Sequence, residues 1–364
     1  MKWGFRWYGE KDSIPLKHFR QIPGTDGVVG TLLNKLPGDV WNVDEIKQFK
    51  ESIEKEGLEL LGIESVAVHD AIKARTKECD YYIDNYIKTI RNLAECGINL
   101  VCYSFKPIFG WAKTNLKYEN PDGSYSLVFD QAVVENMDAK DMFQLINGQS
   151  NGFKLPGWEE ERLNKFNSLM EMYENITEED LFNNLEYFLK KVIPVCEEVG
   201  VKMAIHPDDP PWEIFDLPRI TKNLDDYKRI VNIIDSPCNG ITLCTGSLGA
   251  NPQTDLVKFI RELGNRIHFV HLRNIEFLGE QKFRESAHLS IDGSLDMYSL
   301  MKTLIEVNFD GIIRPDHGRA IWDEIAMPGY GLYDRALGFT YLKGLHEAIT
   351  KSQKENGLEQ KQWI

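Results

Sequence analysis

The 364-residue sequence predicts an α/β fold, a (β/α)8 TIM barrel with a long helical insertion after the fourth strand. Charged amphipathic segments alternate with short apolar runs, and a glycine often separates the two, as in YIKTIRNLAECG followed by INLVCY. Apolar runs without polar alternation are typical of parallel strands that helices cover on both faces. A doubly wound open sheet is the alternative, but no GxGxxG motif follows the first predicted strand.

Eight segments have the apolar character expected of barrel strands. They are residues 3–7, 28–33, 60–66, 100–103, 202–206, 241–244, 268–272 and 312–315. Among the helices between them, one from about residue 177 to residue 199 carries a capping-box pattern at Thr177 and Asp180. Asn42 and Glu45 form a similar pattern in an earlier helix, and Pro194 is expected to kink the later helix near its end.

The segment from about residue 106 to residue 175 is too long for a simple crossover. We interpret it as an insertion that lies over the barrel mouth or at a dimer interface. Residues 1–350 are therefore predicted to form a single catalytic domain, and residues 351–364 a polar C-terminal tail.

Charge and composition exclude several classes of partner. The chain has 42 Lys and Arg residues against 56 Asp and Glu residues, a formal charge of −14, which disfavours nucleic acid binding. No apolar run reaches the roughly 18 residues of a membrane span, and the N-terminus lacks a signal-peptide core. Six cysteines without a CxxC pair indicate reduced thiols. We expect a cytoplasmic location and no membrane partner.

Four predicted strands in succession, the fifth to the eighth, end at a residue type that binds metals. These residues are His206, Cys244, His271 and Asp316. Catalytic groups of a TIM barrel lie at the carboxyl ends of its strands, so these side chains are expected to meet at one point. Two imidazoles and a thiolate favour Zn²⁺ or Fe²⁺, while the carboxylate and an oxygen-rich substrate admit Mn²⁺.

Basic and aromatic residues follow other predicted strands and are candidates for binding an anionic, oxygen-rich substrate such as a sugar acid. They are Arg6, Trp7, Lys106, Trp111 and Arg273. Each also has a structural alternative, since Arg273 could pair with an acidic residue and the two tryptophans could pack in the core. His317 follows Asp316 directly, and Tyr330 lies in a glycine-flanked loop that could fold over the mouth.

The motifs HPDDPP, LCTGSLG, HLRN and RPDHGR occur in this order, together with RWYG, GTLLNKLPGDVW and PGYGLYDRA. In these motifs the chain resembles the mannonate dehydratase family, which belongs to the xylose-isomerase-like TIM barrels. The resemblance covers nearly the whole chain. It implies dehydration of D-mannonate to 2-keto-3-deoxy-D-gluconate in hexuronate (glucuronate) breakdown, with Mn²⁺ or Fe²⁺ as the cofactor.

By motif, the metal ligands of that family fall on the four strand-end residues named above. Its proposed acid and base fall on His317 and Tyr330, although Tyr333 is close enough to take the tyrosine's role. Our hypothesis is that Tyr330 removes the C2 proton and His317 protonates the departing C3 hydroxyl.

Three other functions are compatible with a barrel of this kind. A metal-dependent sugar isomerase or epimerase would act on neutral sugars and would usually have more carboxylate ligands. An endonuclease would need further ligands and a basic groove. A non-catalytic sugar-acid-binding barrel would keep the basic and aromatic residues without turnover. The large insertion is also compatible with a homodimer.

Overall fold

A computed structural model describes residues 1–361, apart from residues 154, 156 and 159. Within this part of the chain there are twelve β-strands. They are β1 (Lys2–Arg6), β2 (Gly27–Gly30), β3 (Glu59–Glu64), β4 (Leu100–Tyr103), β5 (Asn115–Glu119), β6 (Tyr125–Asp130), β7 (Lys202–Ile205), β8 (Asn239–Cys244), β9 (Ile267–Leu272), β10 (Ile275–Gly279), β11 (Lys282–Glu285) and β12 (Ile312–Pro315).

Eight of these strands close into a parallel barrel in the order β1, β2, β3, β4, β7, β8, β9 and β12. Closure is made by β12 and β1, where Lys2 pairs with Ile312. The predicted TIM barrel is confirmed, and each predicted strand corresponds to one barrel strand with ends shifted by up to three residues. A small apolar cluster fills the interior, and it includes Val29, Leu100, Ala204 and Phe269.

Helices surround the barrel and cover the outer faces of its strands. They are α1 (Leu16–Arg20), α2 (Val43–Glu54), α3 (Asp70–Lys73), α4 (Cys79–Glu95), α5 (Gln131–Val134), α6 (Ala139–Gly148), α7 (Glu160–Asn164), α8 (Phe166–Tyr173), α9 (Glu178–Val199), α10 (Leu224–Val231), α11 (Thr245–Leu248), α12 (Leu256–Leu263), α13 (Met297–Glu306) and α14 (Leu332–Lys361). No helix in the described part of the chain is long and apolar enough to cross a lipid bilayer.

The cap patterns read from the sequence are present at two helix starts. The Thr177 hydroxyl accepts a hydrogen bond from the Asp180 N–H at 3.1 Å, and the Asp180 carboxylate accepts one from the Thr177 N–H at 3.0 Å. At α2, the Glu45 carboxylate accepts from the Asn42 N–H at 3.2 Å. Pro194 lies inside α9, which continues to Val199.

The insertion after β4 contains the hairpin β5–β6 as well as helices α5 to α8. This hairpin joins the hairpin β10–β11, which follows β9, in a separate four-stranded sheet of order β10-β11-β6-β5. The sequence interpretation did not include this sheet, because its strands mix polar and apolar residues and its two hairpins pair with each other across more than 150 positions of the chain. The sheet matters for function because β11 ends at the barrel mouth with the buried Glu285.

The last helix, α14, extends to Lys361 and so includes most of the segment assigned to a polar tail. Residues 362–364 of that tail lie outside the described residues. The division into one domain and a tail stays a prediction.

Candidate active site

A cavity of about 270 Å³ opens at the carboxyl ends of the barrel strands. Its wall includes side chains from the first, third, fourth, fifth and eighth barrel strands or the loops that follow them, and from the loop at residues 31–41. The titratable residues at the strand-end side are Arg6, Glu64, Lys106, His206, Asp209, Arg314, Asp316, His317 and Tyr330. This position is the one expected for the active site of a TIM barrel.

Three predicted metal ligands lie together beside this cavity. One ligand atom from each of His206, Cys244 and His271 lies within 4.8 Å of the other two. The strand register explains the proximity, since Cys244 of β8 pairs directly with His271 of β9. The fourth predicted ligand, Asp316, is adjacent, with its Oδ2 3.4 Å from Cys244 Sγ and 4.0 Å from His271 Nδ1.

The chemistry of the donor set fits a divalent transition metal. His271 Nε2 is buried and has no hydrogen-bond partner among the described residues. His206 Nδ1 lies 2.8 Å from the Pro207 carbonyl oxygen and 3.2 Å from Lys106 Nζ, so both of these contacts are made by Nδ1 and leave Nε2 for a metal ion. Burial, with Lys106 near His206 and Arg314 near His271, holds the pKa of both imidazoles well below the usual value, so both rings are neutral.

The remaining two donors differ in charge. Burial raises the pKa of the Cys244 thiol to about 12, so a bound cation would have to displace its proton. Burial alone would raise the pKa of Asp316, but the neighbouring His317 and Arg314 side chains hold it well below its usual range. Asp316 therefore supplies a negative charge beside two neutral rings.

Arg314 donates hydrogen bonds to both Asp316 and Glu64 and so connects the two carboxylates. Arg314 Nη1 donates to Asp316 Oδ1 at 2.8 Å, and its Nε and Nη2 donate to the Glu64 carboxylate at 3.1 and 2.8 Å. Glu64 also lies 3.6 Å from His271 Nε2. Sequence reasoning missed Glu64, the last residue of β3, because the predicted third strand ran past it to residue 66.

The two residues assigned to proton transfer are in direct contact. Tyr330 Oη lies 3.1 Å from His317 Nε2, and the other ring nitrogen, Nδ1, lies 3.2 Å from Glu285 Oε1. Burial and the neighbouring Tyr8 raise the pKa of Tyr330 well above its usual value, so the phenol keeps its proton and donates it to His317. Tyr333 is 44% exposed and packs on Trp322 instead, so the structure favours Tyr330 over this alternative.

Arg273 does not line the cavity, contrary to its predicted role in substrate binding. Its Nε and Nη2 donate to the two oxygens of Glu285 at 2.7 and 2.5 Å, and its Nη1 donates to Asp209 Oδ2 at 2.7 Å. Lys113 completes this buried group at 3.1 Å from Asp209 Oδ1. The guanidinium is saturated by carboxylates, so the structural alternative applies to Arg273.

Of the other predicted substrate-binding residues, three line the cavity and Trp7 does not. Arg6 and Trp7 are consecutive and point to opposite sides of the barrel wall, which places Trp7 in the outer core against Phe49. Arg6 Nη1 is buried without a hydrogen-bond partner among the described residues. Lys106 Nζ donates to the Gly110 carbonyl at 2.8 Å, and the Trp111 ring lies 6.3 Å from the His317 ring.

Comparison with known proteins adds evidence independent of this geometry. A family model described as D-mannonate dehydratase (UxuA) matches residues 1–356. A mannonate dehydratase from Enterococcus faecalis is 70% identical over 354 residues, which are 97% of this chain and 99% of the relative. One from Thermotoga maritima is 53% identical over 357 residues, again 97% of this chain and 99% of the relative.

Solved structures agree with these relatives. The crystal structure of mannonate dehydratase from Streptococcus suis serotype 2 superposes with a TM-score of 0.88 at 42% identity and covers 97% of this chain and 96% of its own. A 3-keto-D-glucoside 4-epimerase from E. coli has a TM-score of 0.56 at 14% identity, covering 94% and 99% of the two chains. At this identity the epimerase shows a shared fold alone.

Proposed function

The chain belongs to the D-mannonate dehydratase family and is a hydro-lyase, and from this premise we propose that it dehydrates D-mannonate to 2-keto-3-deoxy-D-gluconate in a metal-dependent reaction. The observation that carries the proposal is the position of the His317–Tyr330 pair in the same cavity wall as His206 and Asp316. A proton-transfer pair and two of the four proposed metal donors thus line one cavity of about 270 Å³.

We propose that the metal is Mn²⁺ or Fe²⁺ and that His206, Cys244, His271 and Asp316 hold it. The close approach of three donor atoms, and a His271 Nε2 without a hydrogen-bond partner among the described residues, support this assignment. A bound divalent ion would act as a Lewis acid that stabilises the negative charge developing when a proton leaves the carbon next to a carboxylate.

The cavity also has cationic groups suited to a sugar acid. Arg6 Nη1 has no hydrogen-bond partner among the described residues and lies 3.9 Å from Glu64 Oε2, and Lys106 is buried near His206. Burial lowers the pKa of Lys106 to about 8, which still leaves most of the amine protonated at neutral pH. We propose that these two residues bind the substrate's oxygens, with the Trp111 ring forming part of the wall.

For the proton transfers we propose a relay through Tyr330. Tyr330 Oη takes the C2 proton as its own proton passes to His317 Nε2, 3.1 Å away. The C2–H electron pair forms a C2=C3 double bond while the C3–O bond breaks, and His317 gives its proton to the departing hydroxyl, which leaves as water. The resulting enol tautomerises to the 2-keto acid, and both residues return to their neutral forms.

Metal-stripped protein incubated with D-mannonate, with and without restored Mn²⁺ or Fe²⁺, tests the proposal. We expect 2-keto acid to form only with metal. His206→Gln should abolish this metal-dependent activity, while the control His18→Gln, at a half-buried histidine outside the site, should behave as the parent. Isomerisation of a neutral aldose without dehydration of mannonate would establish the isomerase or epimerase instead. Metal-dependent binding of mannonate without product would indicate a sugar-acid binder.

The wider context is proposed from the family alone. A role in hexuronate breakdown follows from the proposed product, and a cytoplasmic location and a homodimer stay predictions.

A further inference from the structure

The barrel mouth contains one fully buried carboxylate to which the proposed chemistry assigns no step. Glu285 is the last residue of β11 in the second sheet, and its side chain is 0% exposed. It meets His317 from the side opposite Tyr330, since Glu285 Oε1 is 3.2 Å from Nδ1 while Tyr330 Oη is 3.1 Å from Nε2. The imidazole is thus held at both nitrogens.

The hydrogen bonds to this imidazole have a definite direction. Burial alone would raise the pKa of Glu285, but Arg273 and His317 lower it to about 2. An ionised carboxylate only accepts hydrogen bonds, so the proton on the Glu285 side belongs to Nδ1 of His317. Nε2 is then the basic nitrogen, and it faces the phenol of Tyr330. The arrangement selects the tautomer that the proton relay needs.

Charge balance does not require the contact between Glu285 and His317. Arg273 and Lys113 are both fully buried, and the carboxylates of Asp209 and Glu285 neutralise them. The two positive and two negative charges of this group of four already balance, so the contact with His317 is not needed to neutralise Glu285. The group instead holds the Glu285 carboxylate in place, since Arg273 donates to both of its oxygens.

The backbone of the second sheet holds Glu285 from the other direction. Glu285 pairs with Ile275 of β10, and the Ser126 hydroxyl of β6 donates to the Glu285 carbonyl at 2.8 Å. Two hairpins, one from the insertion and one after β9, therefore bring this carboxylate to a histidine that follows β12.

From these contacts we propose that Glu285 is a positioning residue for the dehydration, an inference that rests on the proposed function. It acts through His317 by accepting a hydrogen bond from Nδ1, which orients the ring so that Nε2 faces Tyr330. Arg273 and Lys113 support it by fixing the carboxylate.

The test compares Glu285→Gln with the parent enzyme, loaded with Mn²⁺, on D-mannonate and on D-mannonate deuterated at C2. We expect kcat to fall by about 10- to 1000-fold while KM and bound Mn²⁺ change less than about twofold. The deuterium isotope effect on kcat should increase, because slower proton transfer limits turnover more strongly. A purely structural role would not increase this isotope effect.

Glu276→Gln is the matched control, because it makes the same substitution in the same sheet. It alters the ion pair between Glu276 and Arg284, which does not involve His317. It should keep the parent's kcat and isotope effect. If Glu285→Gln does not fold, Glu285→Asp is used in its place. The shorter aspartate side chain keeps a negative charge near Arg273 but moves the carboxylate away from Nδ1 of His317, so the same fall in kcat is expected.

Two outcomes separate failure of this inference from failure of the proposed function. A parent enzyme that does not dehydrate mannonate would overturn the function itself. A parent that turns over, with a folded Glu285 variant that keeps kcat within about twofold or shows an unchanged isotope effect, would overturn the positioning role alone.

Discussion

The hydroxyl of Tyr330, the proposed base, lies 3.1 Å from Nε2 of His317 in the cavity wall, and this placement makes a prediction for a single atom. Tyr330→Phe removes the oxygen and keeps the ring, so packing against Tyr8 is retained. We expect kcat for mannonate to fall by about 10²- to 10⁴-fold with a small change in KM, measured by steady-state kinetics. Tyr333→Phe is the matched control and should retain activity; the reverse pattern would assign the role to Tyr333.

Cys244 is the donor that distinguishes this site from one built of oxygen and nitrogen alone. Cys244→Ser replaces a thiolate with a hydroxyl that does not ionise near neutral pH, so we expect affinity for Mn²⁺ or Fe²⁺ to fall by at least about tenfold. Metal titration followed by elemental analysis measures this change. Cys238→Ser changes a buried cysteine outside the ligand group and should bind metal as the parent does; equal metal binding by both variants would remove Cys244 from the site.

Among the elements, α9 begins at a capping box whose pattern is visible in the sequence. Thr177→Ala removes the hydroxyl that accepts from the Asp180 N–H, which leaves a first-turn donor without its side-chain partner. We expect the free energy of unfolding to fall by about 1 kcal/mol, measured by urea denaturation. Thr340→Ala, in the exposed face of α14, should cost less, and an equal cost in both variants would argue against the cap as the cause.

Elements outside the barrel were harder to predict than the barrel strands. Barrel strands are buried on both faces and appear as continuous apolar runs, whereas β5, β6, β10 and β11 have exposed positions. The two hairpins that these four strands form pair with each other across distant parts of the sequence. Glu285 therefore had no local signal that could mark it as functional. Its importance arises from the pairing of β11 with β6, which only the folded chain shows.

On the scale of the whole molecule, acid should destabilise the fold in part through His268. Burial, with Lys202 nearby, lowers the pKa of His268 from 6.5 to about 4, and its Nε2 lies 2.9 Å from the Pro237 carbonyl. Between these two pKa values the unfolded chain binds a proton that the folded chain does not. The free energy of unfolding contributed by this group therefore decreases as the pH falls from 6.5 to 4, by about 3 kcal/mol in total.

His268→Gln removes this titration and should make the free energy of unfolding less dependent on pH in that window. Urea denaturation of the parent and the variant at pH 7.5 and pH 4.5 measures the difference. An identical loss of stability in both proteins on acidification would show that His268 is not responsible.

The sequence by itself determined the barrel and the strand-end donors. Both are local properties, because an apolar run defines a buried strand and the residue at its end must lie at the barrel mouth. The order of the motifs also indicated the family to which the chain belongs. His206, Cys244, His271 and Asp316 were found in this way, and Glu64 could have been found by the same rule.

Only the tertiary structure decided which charged groups face the cavity and which face each other. The residue types of Trp7 and Arg273 suit either substrate binding or a structural role. The direction of its side chain places Trp7 against Phe49 in the core, and two nearby carboxylates bind the Arg273 guanidinium. The link from Arg273 through Glu285 to His317 joins three segments that are separate in sequence. Such contacts depend on how distant elements pack, so no local pattern contains them.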